Sequence, residues 1–396
     1  MEQQLRSWLR FCVYFGIYLS ATPSTYSNNS TNCIQLNSTI RLAAKLFPNR
    51  HYTLQRCYNC LLCSISSALF VGSIYWHPFP EGLTLNWIAI TILFTTRYIT
   101  NLLILLEAVW KQRQHETFLL LLQEIEESFR LRLRWDVRSS ALLGQLKRFL
   151  IYQLVLSVIG LLPFMVATFV SVDYGGYFWR GLWFICTARV RTLQLLVYMQ
   201  ILRHFLFGLC AKLEQIVAYR MAPSRQLLDM DYGRLGTLAY FLAVREIYAL
   251  LDKAFQLLND FAGWSLLGIM TTFVLDLSSN FYWMLQSFDN FRGRRYYYLV
   301  DLWWFIPVAT YVWYLCYLCD SCKQLGRRVA QLLSKIILLS SARSGVHYRL
   351  VLQQFSMQLQ LQCIEVSARS FFVLDLPFVM SICTAMAMHL VILIQF

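Results

Sequence analysis

Among the charged side chains inside otherwise apolar stretches, six are candidates for chemistry: Arg97, Arg189, Arg191 and Arg203, and the carboxylates Asp276 and Asp301. A charge in such a setting is costly, and by default it marks an internal pair or a functional site. Arg189 and Arg191 are two residues apart, whereas a voltage sensor needs arginine at every third position. Asp276 is followed by Tyr282 and Trp283, and Asp301 stands beside Tyr298, Trp303 and Trp304. Two readings follow. Arg189 or Arg191 pairs internally with Asp276 or Asp301, or these groups anchor a ligand in a pocket walled by aromatic faces. The two readings are compatible. The candidate ligand contacts are Arg189, Arg191, Asp276, Tyr282, Trp283, Asp301 and Trp304.

Other chemistry is harder to build. Cys57, Cys60 and Cys63 form one Cys-x-x-Cys-x-x-Cys run, and Cys316, Cys319 and Cys322 form a second. Neither has a histidine or acidic cluster beside it to complete a metal site. Small residues on a packing face explain both runs, with S-palmitoylation near a membrane surface as the alternative. The six histidines are scattered, and the chain contains no His-Glu-x-x-His, no Gly-x-Ser-x-Gly elbow, no Walker loop and no dinucleotide fingerprint. Nothing in the chain calls for an enzyme, a metal or a cofactor.

The elements that carry these residues follow from composition. Hydrophobic residues make up 58% of the 396-residue chain and charged residues only 14%, far below the quarter or so of a soluble protein. A bilayer is the expected solvent. A helix needs about 20 mainly apolar residues to cross it. Segments 57–76, 85–110, 149–172, 181–209, 261–285, 298–320 and 372–396 qualify, while Phe11 to Ala21 is too short. The connections between these spans alternate in charge. Residues 1–56, 111–148, 210–255 and 321–371 hold 27 Lys and Arg, and the connections of the other parity hold 4. Basic connections stay in the cytoplasm, so the N-terminus is expected inside and the C-terminus outside. The net charge of +14 then reflects loop bias, and no nucleic-acid partner is implied.

Residues 1–24 resemble a signal peptide, and sequons follow at Asn28, Asn29 and Asn37. Either feature in use would put the N-terminus outside and invert every loop, so the charge count favours unused sequons. An inside N-terminus is opposite to that of a G-protein-coupled receptor. The chain also lacks an Asp-Arg-Tyr triplet after the third span and an Asn-Pro-x-x-Tyr in the seventh. A transporter should show internal repeats and broken helices at the midplane, and no clear repeat is found.

The inner connections are long and poor in Pro and Gly. Leu325, Val329, Leu332 and Ile336 recur at helical spacing, as do Val351, Phe355 and Leu359. Spans four to six are therefore expected to continue into the cytoplasm as helices, with a further helix before span seven. Their apolar faces must pack on one another or on neighbouring subunits. The seventh span carries a partly polar stripe of Ser381, Thr384, Met388, Val391 or Ile392, and Gln395, with Pro377 in its first turns. Such a face suits other helices or water better than lipid.

The ending Leu390-Val391-Ile392-Leu393-Ile394-Gln395-Phe396 resembles the C-terminal signature of insect gustatory receptors, in which Thr-Tyr and five apolar residues precede Gln-Phe. Met388 and His389 stand where that pattern has Thr-Tyr. The length, the inside N-terminus, the long inner connections and the "LNDFAGWSLL" stretch agree with the resemblance. It implies a tetrameric, tastant-gated cation channel in the plasma membrane of chemosensory neurons, similar to insect odorant receptors, as a homo- or hetero-tetramer. The last helix would line the pore, with Gln395 and Phe396 as its gate and Ser381, Thr384 and Met388 along it. Cytoplasmic helices would anchor the tetramer.

The expected fold is all-α and polytopic, with seven transmembrane helices and cytoplasmic helical extensions. Segment 1–56 is the cytoplasmic N-terminal part, and 57–320 is the ligand-binding bundle with inner loops 111–148 and 210–255. Segment 321–371 supplies the anchor helices and 372–396 the pore helix. The expected function is a receptor for bitter or otherwise aversive small molecules, with a metabotropic receptor or a transporter as the alternative.

Overall fold

The computed structural model describes residues 2–18, 50–76, 85–135, 139–170, 175–221, 235, 237–290, 295–339, 346–362 and 364–395. Among these residues the chain forms ten helices and one small hairpin: α1 (Glu2–Tyr14), α2 (Arg50–Trp76), α3 (Leu85–Trp110), α4 (Gln112–Arg132), α5 (Ser139–Val170), α6 (Gly175–Met221), α7 (Leu238–Asn290), α8 (Arg295–Leu339), α9 (Val346–Leu361), β1 (Ser367–Ala368), β2 (Phe372–Val373) and α10 (Leu376–Gln395). Among the described residues, five helices are long and apolar enough to cross a membrane, through Gln55–Tyr75, Ile88–Trp110, Gly144–Leu162, Arg180–Met221 and Leu238–Tyr282. The other two expected spans fall on α8 and on α10, which contributes the shorter apolar stretch Leu376–Met388.

Helix length organises the molecule. At 1.5 Å per residue, the 47, 53 and 45 residues of α6, α7 and α8 give rods of about 70–80 Å, more than twice the ~30 Å hydrocarbon core. α8 packs extensively on both α6 and α7, which meet each other less, and all three project well past any membrane they cross. The projecting part gathers the C-terminal half of α6, the N-terminal half of α7 and the C-terminal half of α8, with α4 and α9 against them. Here the stripes expected from spacing turn inward. Val329, Leu332, Ile336 and Phe355 are buried, and Leu325, Val351 and Leu359 pack on the same core. Phe355 meets Phe241 and Tyr248 of α7 edge-on. Arg245 donates to Gln354 and Gln358, and the Tyr248 hydroxyl donates to the Gln362 carbonyl at 3.0 Å. Packing within the chain thus absorbs these faces. Leu350, Met357 and Leu361 remain exposed on α9.

The seventh helix departs from expectation at its start. Residues 372–373 belong to a hairpin strand, and α10 begins at Leu376. The physical reason is the Asp375-Leu376-Pro377 run. The Asp375 carboxylate accepts the Phe378 N–H at 3.1 Å, capping the helix and favouring its positive end. In the hairpin Ser367 pairs with Val373 and Ala368 with Phe372. The turn between them holds Arg369 and Ser370 at positive φ, 51° and 61°, closed by the Phe371 N–H donating to the Ala368 carbonyl at 3.0 Å. Lys323 of α8 clamps the two sides of this connection, 3.5 Å from Glu365 and 3.2 Å from Asp375.

Candidate functional site

Three of the six charges found inside apolar stretches meet in one place. Arg97 of α3 donates to Asp276 of α7 at 2.6 Å. Arg189 of α6 lies beside them and donates to the Ser157 carbonyl of α5 at 3.2 Å. Phe184, Ile185, Ala188, Thr272, Phe273 and Val308 complete the wall. The approach of α3 to α7 is set one turn away from Arg97. Thr100 Oγ1 bonds the Gly268 carbonyl at 3.0 Å and Thr272 Oγ1 at 2.7 Å. A Cβ at Gly268 would lie 3.0 Å from the Thr100 hydroxyl, so the crossing depends on a residue without one. The space between them is about 10 Å³, room for about one water, and anything larger requires the side chains to move.

The pairing differs from the one expected. Asp276 pairs with Arg97, and Arg191 pairs with a residue outside the expected set. Two positions along a helix are about 200° apart in direction, so Arg191 turns away from Arg189 towards Glu107 of α3, at 3.6 Å. Tyr282 lies on α7, partly buried. Trp283 lies on α7 and Asp301 and Trp304 on α8, with side chains outside the described set.

Glu107 and Arg191 form a second polar centre, and both are almost wholly buried. The Glu107 carboxylate accepts the backbone N–H groups of Trp264 and Ser265 of α7, at 3.1 and 3.0 Å. These N–H groups lie within the continuous α7 helix, so the carboxylate docks α3 directly on the α7 backbone. Arg191 serves the same turn of α7, donating to the Phe261 carbonyl at 3.3 Å and to Ser265 Oγ at 3.2 Å, and it also donates to Gln194 Oε1 at 2.7 Å. Gln194 in turn donates to the Tyr198 hydroxyl, which His115 Nε2 of α4 meets at 2.7 Å. The His115 ring lies flat on Phe261, 4.6 Å between centroids. Burial, reinforced by nearby Arg191, holds the His115 pKa well below its usual value.

The hairpin ahead of α10 grips the same stretch of α7. Asn259 donates to the Glu365 carbonyl at 2.9 Å and accepts the Ser367 N–H at 3.1 Å. The Arg369 guanidinium lies over the Trp264 ring at 5.5 Å. The Arg369 Cγ would be 3.0 Å from a Cβ at Gly263. Glu107, this stretch of α7, the hairpin and α10 are therefore consecutive in one series of contacts. Sequence reasoning passed over Glu107 although it is an acid in an apolar stretch, the same signal that singled out Asp276.

On α10, Ile382 and Met386 are buried, on the side where the helix packs on α7 and α8. Ser381, Thr384, Met388 and Val391 are exposed on the opposite side. Ser381 and Thr384 return their hydroxyls to the helix, at the Pro377 and Met380 carbonyls. Gln395 ends α10 with its side chain outside the described set, and Phe396 lies outside the described residues.

Fold and polar interior together define a multi-pass, helical membrane protein whose last helix bears, among the described residues, an exposed face. A family model described as "7tm Chemosensory receptor" matches residues 5–396; the chain belongs to the 7tm chemosensory receptor family, a family of receptors and not of enzymes. Two Drosophila melanogaster proteins are similar. One, carrying the provisional name gustatory receptor 39b, is 24% identical over 344 residues, 86% of this chain and 91% of that protein. Gustatory receptor 23a is 32% identical over 153 residues, 39% of this chain and 40% of that protein. Among solved structures, the olfactory receptor OR5 of Machilis hrabei in complex with eugenol shares the fold, with a TM-score of 0.63 over 99% of this chain and 98% of that one at 14% identity.

Proposed function

We propose that the chain is a gustatory receptor subunit acting as a tastant-gated, non-selective cation channel in the plasma membrane of chemosensory neurons. The observation that carries this reading is the uncovered side of α10. Ser381, Thr384 and Met388 lie opposite the buried Ile382 and Met386, where four copies around an axis would place them towards a pore. Gln395 and Phe396 then close the mouth. Phe rings shut a narrow pore by dewetting, and Gln amides offer passing cations a dipole without trapping them. The basic connections put the end bearing α4 and α9 in the cytoplasm as the tetramer's anchor, with the N-terminus inside.

The ligand site is the cavity around Arg97, Arg189 and Asp276, with Arg191, Tyr282, Trp283, Asp301 and Trp304 as the further contacts named by the sequence. OR5 accommodates eugenol, and a small organic compound is the expected ligand class here, with bitter or otherwise aversive compounds favoured. A ligand that opens such a site must favour the open state, and about 5.5 kcal/mol of differential affinity carries a gate from 1:99 to 99:1.

Current recording from cells expressing the receptor tests the reading. Phe396→Ala should raise the basal current and weaken closure, and unchanged gating and permeation would remove the gate assignment. Asp276→Asn should shift the response to a tastant while leaving open-pore conductance unchanged. Loss of surface expression alone would reduce Asp276 to a structural partner of Arg97. Responses that vanish when G-protein signalling is blocked would favour the metabotropic alternative.

A further inference from the structure

The two cysteine runs are treated in opposite ways by the fold. Cys316, Cys319 and Cys322 of α8 are buried in the core, as packing residues should be. On α2, Cys57 and Cys60 are exposed and only Cys63 is partly covered. The buried side of α2 is carried by Asn59, Leu62, Ser66 and Ser73. Asn59 donates to the Gly16 carbonyl at 2.8 Å and Ser66 Oγ accepts from Asn101 of α3 at 3.0 Å. Cys57 and Cys60 therefore face away from the protein.

The surroundings of these thiols indicate what they meet. Positions four apart on a helix lie nearly in line, so Cys57 heads a row with Leu61, Ile65 and Leu69, which are 55%, 46% and 36% exposed. Arg50, His51 and Arg56 precede the row, and no charge follows before Trp76. The helix thus passes from charged to uncharged at Cys57. Along the axis Cys57 is about 1.5 Å beyond Arg56 and Cys60 about 6 Å, the depth of a membrane surface. α2 packs on α3 and α6, whereas α10 packs on α7 and α8. The exposed row is on the flank remote from α10 and faces lipid when α10 faces the axis.

We propose that Cys57 and Cys60 are S-acylation sites that each take a long-chain fatty acyl group from an acyl-coenzyme A donor. The cysteine sulfur attacks the thioester carbonyl carbon, a new C–S bond forms and the bond to coenzyme A breaks. Coenzyme A leaves as the thiol with the cysteine proton. No oxidant or reductant is consumed. Each chain then extends into the bilayer along Leu61, Ile65 and Leu69. The inference rests on the orientation proposed above, which places this end of α2 at the cytosolic surface where acyl donors and acyltransferases act. Its consequence is local: α2 holds α1 through the Asn59–Gly16 bond and through the Tyr58 hydroxyl on the Tyr14 carbonyl at 2.8 Å, so acyl chains fix α1 at the membrane.

The test is metabolic labelling of the full-length receptor in insect cells with alkyne-tagged palmitate, read after purification with and without hydroxylamine. Label removed by hydroxylamine is expected in the wild type, reduced in Cys57→Ser and in Cys60→Ser, abolished in the double variant and retained in Cys63→Ser. Label that persists in the double variant, resists hydroxylamine or is absent from the wild type overturns the proposal. An N-terminal tag probed on intact and permeabilised cells separates the two readings. A tag reached only after permeabilisation, with no label, overturns acylation alone. A tag reached on intact cells overturns the orientation and the acylation with it.

Discussion

Glu107 is the residue whose loss should be felt most. It is paired with Arg191 at 3.6 Å and accepts two α7 backbone N–H groups. Glu107→Gln removes the charge and leaves a buried guanidinium uncompensated, at a cost of about 3–5 kcal/mol. The amide still offers one carbonyl to Trp264 and Ser265. Glu107→Ala offers none and should cost about 1–3 kcal/mol more. Removing both charges relieves the penalty, since a buried pair exchanged for neutral groups is often close to neutral. Glu107→Gln combined with Arg191→Met should thus be more stable than Glu107→Gln alone, with a coupling energy of about 3 kcal/mol in a double-mutant cycle. Thermal unfolding of the purified receptor, followed by the monodisperse fraction on size exclusion, supplies the four corners. If the two changes add without coupling, or if Glu107→Gln and Glu107→Ala match the wild type, then Glu107 does not hold α3 and α6 to α7 and the reasoning fails.

Three further outcomes are expected. His115 is held neutral by burial, whereas in the unfolded chain it takes up a proton near pH 6.5; the folded state should therefore lose about 1.4 kcal/mol per pH unit as pH falls below that value and be unaffected above it. A melting series from pH 8 to 5 should show this slope, and His115→Gln should flatten it. At Gly208 a Cβ would lie 1.9 Å from the Trp135 ring, which also stacks on His204, so Gly208→Ala should displace the indole and cost about 1–3 kcal/mol, seen as lower thermal stability with greater tryptophan exposure to quenchers. Ser370 sits in the left-handed region at φ 61° with its side chain exposed, so Ser370→Gly should stabilise by about 1 kcal/mol; a lower melting temperature would contradict the turn geometry.

The long-range architecture was legible because it rests on the longest patterns. Apolar runs located the helices, and the stripe through Val329, Leu332 and Ile336 located a face that is buried. The start of α10 was misplaced at residue 372 because Phe372 and Val373 are as apolar as the helix after them. Only the Asp375 cap and Pro377 distinguish the two segments, and both are local signals. The candidate site was half legible. Asp276, Arg189 and Arg97 could be named as costly charges, but which charge pairs with which is a matter of helix rotation and crossing, and α3 supplied the partner of Asp276 from 179 positions away. Cysteine spacing was uninformative in the same way. Two identical runs met opposite environments because one helix lies at the centre of the bundle and the other at its flank.

The placement of polar groups argues for where the molecule can move. A buried polar centre is stable only when each member is satisfied, and the Glu107–Arg191 centre is satisfied through N–H and C=O groups of α7. A movement of α7 against α3 must therefore shift or exchange these bonds. The hairpin follows such a movement, because Asn259, Gly263 and Trp264 of the same stretch all touch it. Beyond the hairpin, α10 is pinned at its start by Asp375 and Lys323, while Ser381, Thr384 and Met388 on its far side are exposed. A shift of this stretch of α7 therefore reaches α10 as a change of direction at its capped end. Cutting the link should separate the two halves of the response. Asn259→Ala removes both hydrogen bonds from α7 to the hairpin and touches neither the cavity nor α10. Tastant binding should survive in this variant while evoked current falls; if current and binding fall together, or neither changes, the hairpin is not the connection.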